Sequence, residues 1–158
     1  MTLMNQAFEA RLTLAHAPAG FGKSTCLAQW KDSLHVQNIP VAWLSLDEHD
    51  ADLFQFLTYL GESCRHAGIG DTISIPRVPQ EYRQLSTAEL CAALVTSISK
   101  HKGPCVLMLD DFHRVQEKEV VEFMHQLVLA KPSNLSIVYA RANFRKRWPW
   151  LTYAFTTN

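Results

Sequence analysis

The sequence has no net charge: fifteen basic residues balance fifteen acidic ones over 158 positions. A neutral chain lacks the electrostatic footprint of a nucleic-acid-binding domain, so any DNA recognition by the parent protein is expected to lie in another segment. No apolar run approaches the length needed to cross a bilayer, and Met1-Thr2-Leu3-Met4-Asn5-Gln6 has no basic start leading into an apolar core. Neither membrane insertion nor secretion is indicated, and a cytoplasmic protein is expected. The four cysteines, Cys26, Cys64, Cys91 and Cys105, form no close pairs, and His, Cys and acidic residues nowhere take zinc-ligand spacing. In apolar or helical contexts they read as reduced core thiols. Internal repeats and low-complexity segments are also missing. What the chain does have is a length close to that of one domain and 47% hydrophobic residues, enough for a real core.

The most informative stretch is Ala17-Pro18-Ala19-Gly20-Phe21-Gly22-Lys23-Ser24, which follows the short apolar run Leu12-Thr13-Leu14-Ala15 and precedes an amphipathic segment. This is the pattern of a phosphate-binding loop between a strand and a helix, with Ala17 in place of the usual first glycine. Gly20 and Gly22 permit backbone torsions that aim successive N–H groups into a cradle, and the next helix directs the positive end of its dipole there. In that reading Lys23 reaches the β- and γ-phosphates and the Ser24 hydroxyl ligates Mg²⁺, with Thr25 able to share its role.

A metal at such a loop needs a carboxylate opposite it, and an attacking water needs a base. The run Cys105-Val106-Leu107-Met108-Leu109-Asp110-Asp111 supplies both, as a buried parallel strand with paired acids at its C-terminal end. Asp110 is expected to hold Mg²⁺ through water, and Asp111 to orient or deprotonate the nucleophilic water. Successive strand residues point to opposite faces, so the two acids serve one site only if the strand has turned between them.

Strand and helix patterns alternate along the chain. A first helix is expected over residues 24–36, with Leu27, Trp30 and Leu34 inward, followed by a strand over 40–46. A second helix over 52–66 carries Leu53, Leu57, Leu60 and Cys64 at helical spacing and stops at Gly68. Residues 68–85 read as one long loop. Ser86 and Glu89 form a capping box for a third helix, with Leu85 and Leu90 as a hydrophobic staple and Leu94 and Ile98 continuing its buried stripe. A fourth helix over 116–130 turns Val120, Phe123, Met124 and Leu127 inward, and residues 135–140 form a fourth strand. Residues 150–157 are a candidate fifth. Alternation of this kind implies an α/β fold, a three-layer α/β/α sandwich on a mainly parallel sheet.

Taken together, the loop with Leu27-Ala28-Gln29-Trp30 after it, Pro40-Val41-Ala42-Trp43-Leu44-Ser45-Leu46-Asp47-Glu48, and Leu109-Asp110-Asp111-Phe112-His113 resemble the nucleotide-binding domain of MalT-like, LuxR-type transcriptional regulators. These are P-loop NTPases of the STAND class. The resemblance implies an ATP/ADP switch with Mg²⁺, self-association of the full-length parent, and DNA binding through a separate helix-turn-helix. By position it makes Lys23 and Ser24 the nucleotide and metal residues, Asp110 the metal-supporting acid, Asp111 the catalytic acid, and Arg141 a γ-phosphate sensor. The sequence departs from the family after Arg141, reading Ala142-Asn143-Phe144-Arg145-Lys146-Arg147-Trp148-Pro149-Trp150. Residues 1–158 are therefore expected to be one nucleotide-binding domain, without the winged-helix, helical-repeat sensor and DNA-binding domains of the family.

Two other functions compete with an ATP-hydrolysing switch. One is a nucleotide-binding or oligomerisation module that does not hydrolyse. The other is a small-molecule kinase, which needs a basic lid where residues 68–85 offer only Arg77 and Arg83. His16 and His113 flank the two motifs without metal-ligand spacing, and Asp47 and Glu48 end the second strand, where they serve either the γ-phosphate side or the cap of the second helix. The cluster Arg145-Lys146-Arg147, flanked by Trp148 and Trp150, has the residue types of a nucleic-acid contact, but a short basic cluster beside aromatics is more often a solvated edge.

Overall fold

The computed structural model describes residues 9–16, 20, 22–46, 52–70 and 84–141, with the backbone alone at His16, Lys23, His113 and Arg141. The elements run β1 (Thr13–His16), α1 (Lys23–Val36), β2 (Val41–Ser45), α2 (Leu53–His66), α3 (Thr87–Ser99), β3 (Cys105–Asp110), a 3-10 turn (Phe112–Arg114), α4 (Lys118–Ala130) and β4 (Leu135–Arg141). The four strands form one sheet in the order β1-β4-β3-β2, every pairing parallel. The alternating pattern is thus realised as an α/β sandwich. The proposed strand at 150–157 lies outside the described residues, as does most of the long loop.

Strand order and crossover handedness together decide where the helices go. From β1 to β2 the chain crosses the sheet in one direction; from β2 through β3 to β4 it steps back in the other. Because crossovers between parallel strands are right-handed, the two directions require opposite faces. α1 accordingly covers one face, where Leu27 and Leu34 pack with Val41, Val106, Met108, Val138 and Ala140. On the other face α2, α3 and α4 bury Phe56, Leu60, Leu94, Phe123 and Leu127 against Ala42, Leu107, Leu109 and Ile137. Phe56 is fully buried although the helical spacing read from the sequence had not included it.

The helix boundaries follow local chemistry. Asp52, in extended conformation, caps α2 by accepting the Gln55 N–H at 2.7 Å, so the cap is this residue rather than Asp47 or Glu48, which lie outside the described residues. After α2 the chain turns at Gly68, φ +75°, where only glycine is unstrained. At α3 the capping box closes in both directions: Glu89 N–H donates to Ser86 Oγ at 3.2 Å, and Ser86 N–H donates to Glu89 Oε2 at 2.7 Å. Leu85 stays 39% exposed, whereas Leu90 is buried. The bonds from Ser86 hold the Glu89 carboxyl below its usual range, so the contribution of the box is present at neutral pH and is lost as acid protonates Glu89. Ser86→Ala is expected to lower the melting temperature by about 2 to 4 °C, the scale of one lost cap in a domain of this size, as read in a thermal melt at pH 7.

All four cysteines are free, but only three are in the core. Cys26 is exposed, because helical spacing that turns Leu27 inward leaves its predecessor on the solvent side of α1. Burial pushes the thiols of Cys64 and Cys105 up to about 12 from an ordinary 9.0. At neutral pH an alkylating reagent is therefore expected to add once to the folded chain, at Cys26, and four times in denaturant, counted by mass spectrometry. The sign of the linked pH effect follows: thiols held protonated in the folded state favour it below pH 9, and that advantage is lost as pH rises from about 9 toward 12. Urea midpoints should therefore fall between pH 8.5 and pH 10.5, starting from the ordinary value of 9.0.

Candidate functional site: the C-terminal edge of the sheet

Strand register brings the two sequence motifs to one level. Ala15 of β1 pairs with Ala140 of β4, Ala140 with Asp110 of β3, and Asp110 with Ser45 of β2. The phosphate loop leaves β1 one residue beyond this row, at His16, whose partner is Arg141. With neighbouring parallel strands about 4.8 Å apart, β1 and β3 are separated by roughly 10 Å, the width of β4 between them. From β1 the chain passes to α1 on one face and from β3 to α4 on the other, which opens a crevice at the C-terminal edge where ligands bind in open α/β sheets.

On the loop side, Gly20 and Gly22 have φ of +86° and +74°, the left-handed region that side chains disfavour. A Cβ on Gly22 would lie 3.9 Å from that of Thr25 and one on Gly20 would meet nothing within 4 Å, so torsion rather than space calls for glycine. Gly22 is the N-cap of α1, which has no side-chain cap and no acidic residue in its first turn. The first-turn N–H groups and the positive end of the dipole are therefore presented to an anion without a competing carboxylate. Ser24 and Thr25 are exposed in that turn, and Lys23 opens it. Ala17, Pro18, Ala19 and Phe21 lie outside the described residues.

On the acid side, Asp110 is 7% exposed and ends a strand that is otherwise entirely buried. Alternation puts it on the side of Val106 and Met108, the side that carries α1. Asp111 is half-buried and has left the strand: its φ of 56° and ψ of 23° are left-handed, and it opens the 3-10 turn. Its N–H donates to the Ala140 carbonyl at 3.2 Å and its carbonyl accepts from the Arg114 N–H at 2.9 Å. The turn needed for two neighbouring acids to serve one crevice is present. Aspartate is among the few residues that tolerate this torsion.

The register also reveals what sequence reasoning missed. Ser45 is exposed and in register with Asp110, hence on the same face, and Ala15 and Ala140 keep the row low between the loop and the acid. Strand pairing is the signal for this, and it is not readable from one strand at a time. Arg141 ends β4 between the two motifs, as its sequence position implied, with only its backbone described. Asp47, Glu48, Arg77, Arg83 and the Arg145-Lys146-Arg147 cluster lie outside the described residues. Among the described residues no helix is long and apolar enough to cross a membrane.

Oxygen-bearing side chains at Ser24 and Asp110, together with glycines in left-handed torsions and a first helical turn without acidic residues, are residue types that suit a phosphate and a hard divalent cation such as Mg²⁺.

Known proteins agree with this architecture. The chain is 33% identical over 128 residues to the HTH-type transcriptional regulator MalT of Yersinia enterocolitica, an alignment covering 81% of this chain and 14% of the regulator. It is 30% identical over 135 residues to MalT of Yersinia pestis, covering 85% and 14%. The chain thus spans 14% of the length of these relatives. Among solved structures, the Walker-type ATPase PABY2304 of Pyrococcus abyssi shares the fold, with a TM-score of 0.58 at 15% identity over 88% of this chain and 43% of that one. The model of the AAA domain matches residues 5–146, and the chain belongs to that family, as a P-loop ATPase domain related to the MalT regulators.

Proposed function

We propose that residues 1–158 are the nucleotide-binding domain of a longer, cytoplasmic, MalT-like regulator of the STAND class, a switch that binds Mg-ATP and hydrolyses it slowly to ADP. The observation that carries this reading is the shared row at the sheet edge, which sets the loop exit at His16 and the acids Asp110 and Asp111 on either side of β4. Residues 17–25 hold the phosphates, with Lys23 neutralising the β- and γ-phosphates and the α1 dipole reinforcing it. Ser24 and, through water, Asp110 would hold Mg²⁺, which would supply charge neutralisation for the phosphates. Asp111 accepts the proton of a water whose oxygen attacks the γ-phosphorus; the bond to the β–γ bridging oxygen breaks and ADP departs. Arg141 reads the γ-phosphate from the end of β4.

In the full-length protein this site sets the switch, with self-association in the ATP form and DNA contacted by a domain outside this chain, as the name of the MalT relatives implies for those proteins. Phosphate release from Mg-ATP, measured with and without small-molecule acceptors, tests the reading. Release to water supports it, acceptor-dependent transfer indicates a kinase, and binding without release indicates a module that only binds nucleotide.

A further inference from the structure

The paired acids rest on an aromatic wedge. Phe112, next to Asp111, is 1% exposed, and its ring is seated 5.1 Å from that of Tyr139 on β4, tilted by 32°, and 6.2 Å from that of Phe56 on α2. Phe56 in turn meets Phe123 of α4 edge-on at 6.2 Å. Between this wedge and the end of β3 lies a single residue, Asp111, in the left-handed conformation. A non-glycine residue does not hold that torsion by preference; something must over-determine it. Here the constraints are its N–H bond to Ala140, its carbonyl bond from Arg114 and the burial of the ring that follows. Removing a buried aromatic side chain costs more than one left-handed residue does, so the ring outweighs the tendency of Asp111 to relax toward an extended or right-handed conformation.

We infer that Phe112 is a positioning residue for hydrolysis: its ring, locked between β4 and α2, fixes the left-handed turn at Asp111 and thereby the direction of the Asp111 carboxylate. The inference rests on the role of Asp111 given under the proposed function. Relaxation of this turn would change the direction of the carboxylate, and displacement of a catalytic group by about 1 Å is enough to cost up to ~10²-fold in rate. Phosphate binding at α1 does not depend on that direction.

The test is single-turnover ATP hydrolysis beside equilibrium ATP binding, on the 158-residue chain, at a temperature where circular dichroism shows every variant folded. Phe112→Leu and Phe112→Met are each expected to slow hydrolysis by roughly ten- to a hundredfold while ATP affinity stays within about threefold. Phe123→Leu loosens the same cluster one ring further out, against Phe56, and is expected to leave the rate within about threefold. In an Asp111→Asn background, Phe112→Leu should change the rate little further, because the two substitutions act through one group. Unchanged hydrolysis in the folded Phe112 variants overturns the inference, as does equal slowing by Phe123→Leu or equal slowing with Asp111 already replaced. If the parent chain releases no phosphate, or Asp111→Asn matches it, the assignment of Asp111 itself falls and this inference with it.

Discussion

Asp111→Asn is expected to lower single-turnover ATP hydrolysis by about 10² to 10⁴ while leaving nucleotide affinity within a few fold, the usual contribution of a positioned base. Asparagine is the informative substitution because it is isosteric and tolerates the left-handed torsion that Asp111 adopts, φ 56°, so the turn survives while the base is lost. Alanine removes the carboxylate but also strains the turn, and mixes the two effects. Asp110→Asn should behave differently: this side chain is buried on the α1 side of the sheet, and its loss should weaken magnesium dependence and hydrolysis together. Titrating Mg²⁺ for both variants separates them. Hydrolysis by Asp111→Asn at the parental rate would sink its assignment as the catalytic acid.

The second large effect is on binding. Mg-ATP or ADP at a hundred times its dissociation constant should stabilise the chain by about 2.7 kcal/mol, a melting shift of roughly 5 to 11 °C for a domain of this size. Lys23→Ala removes a charge-assisted contact to phosphate and should lose about 1.5 to 3 kcal/mol of binding, roughly ten- to a hundredfold in affinity. The first-turn N–H groups of α1 and the torsions at Gly20 and Gly22 are untouched by that substitution, so residual binding is expected. A melting shift in Lys23→Ala equal to that of the parent would remove this lysine from the phosphate site.

Much of this architecture was legible one segment at a time. Short-range rules cover it: Ser86 and Glu89 announced the start of α3, Asp110 the end of a buried strand, and Gly20, Gly22, Lys23 and Ser24 a loop entering a helix. Where a pattern was read too broadly, the cause is also local. Cys26 shares a helical context with Leu27 yet sits on the other side of α1, and Phe56 is buried beyond the stripe drawn through Leu53, Leu57 and Leu60. A helix packed between a sheet and neighbouring helices buries a wider arc than one row of residues, and only the packing shows how wide.

The sequence by itself determined the residue types of the site and the order in which they occur along the chain, because torsional freedom at glycine, helix capping and hydrophobic period act over a few residues. The tertiary structure alone decided that β4 lies between β1 and β3, that Ala15, Ala140, Asp110 and Ser45 share one row, and that Asp111 turns out of the strand above a buried Phe112. Those features depend on which distant segments pair and on the handedness of the crossovers between them, and a single strand carries no record of its neighbours.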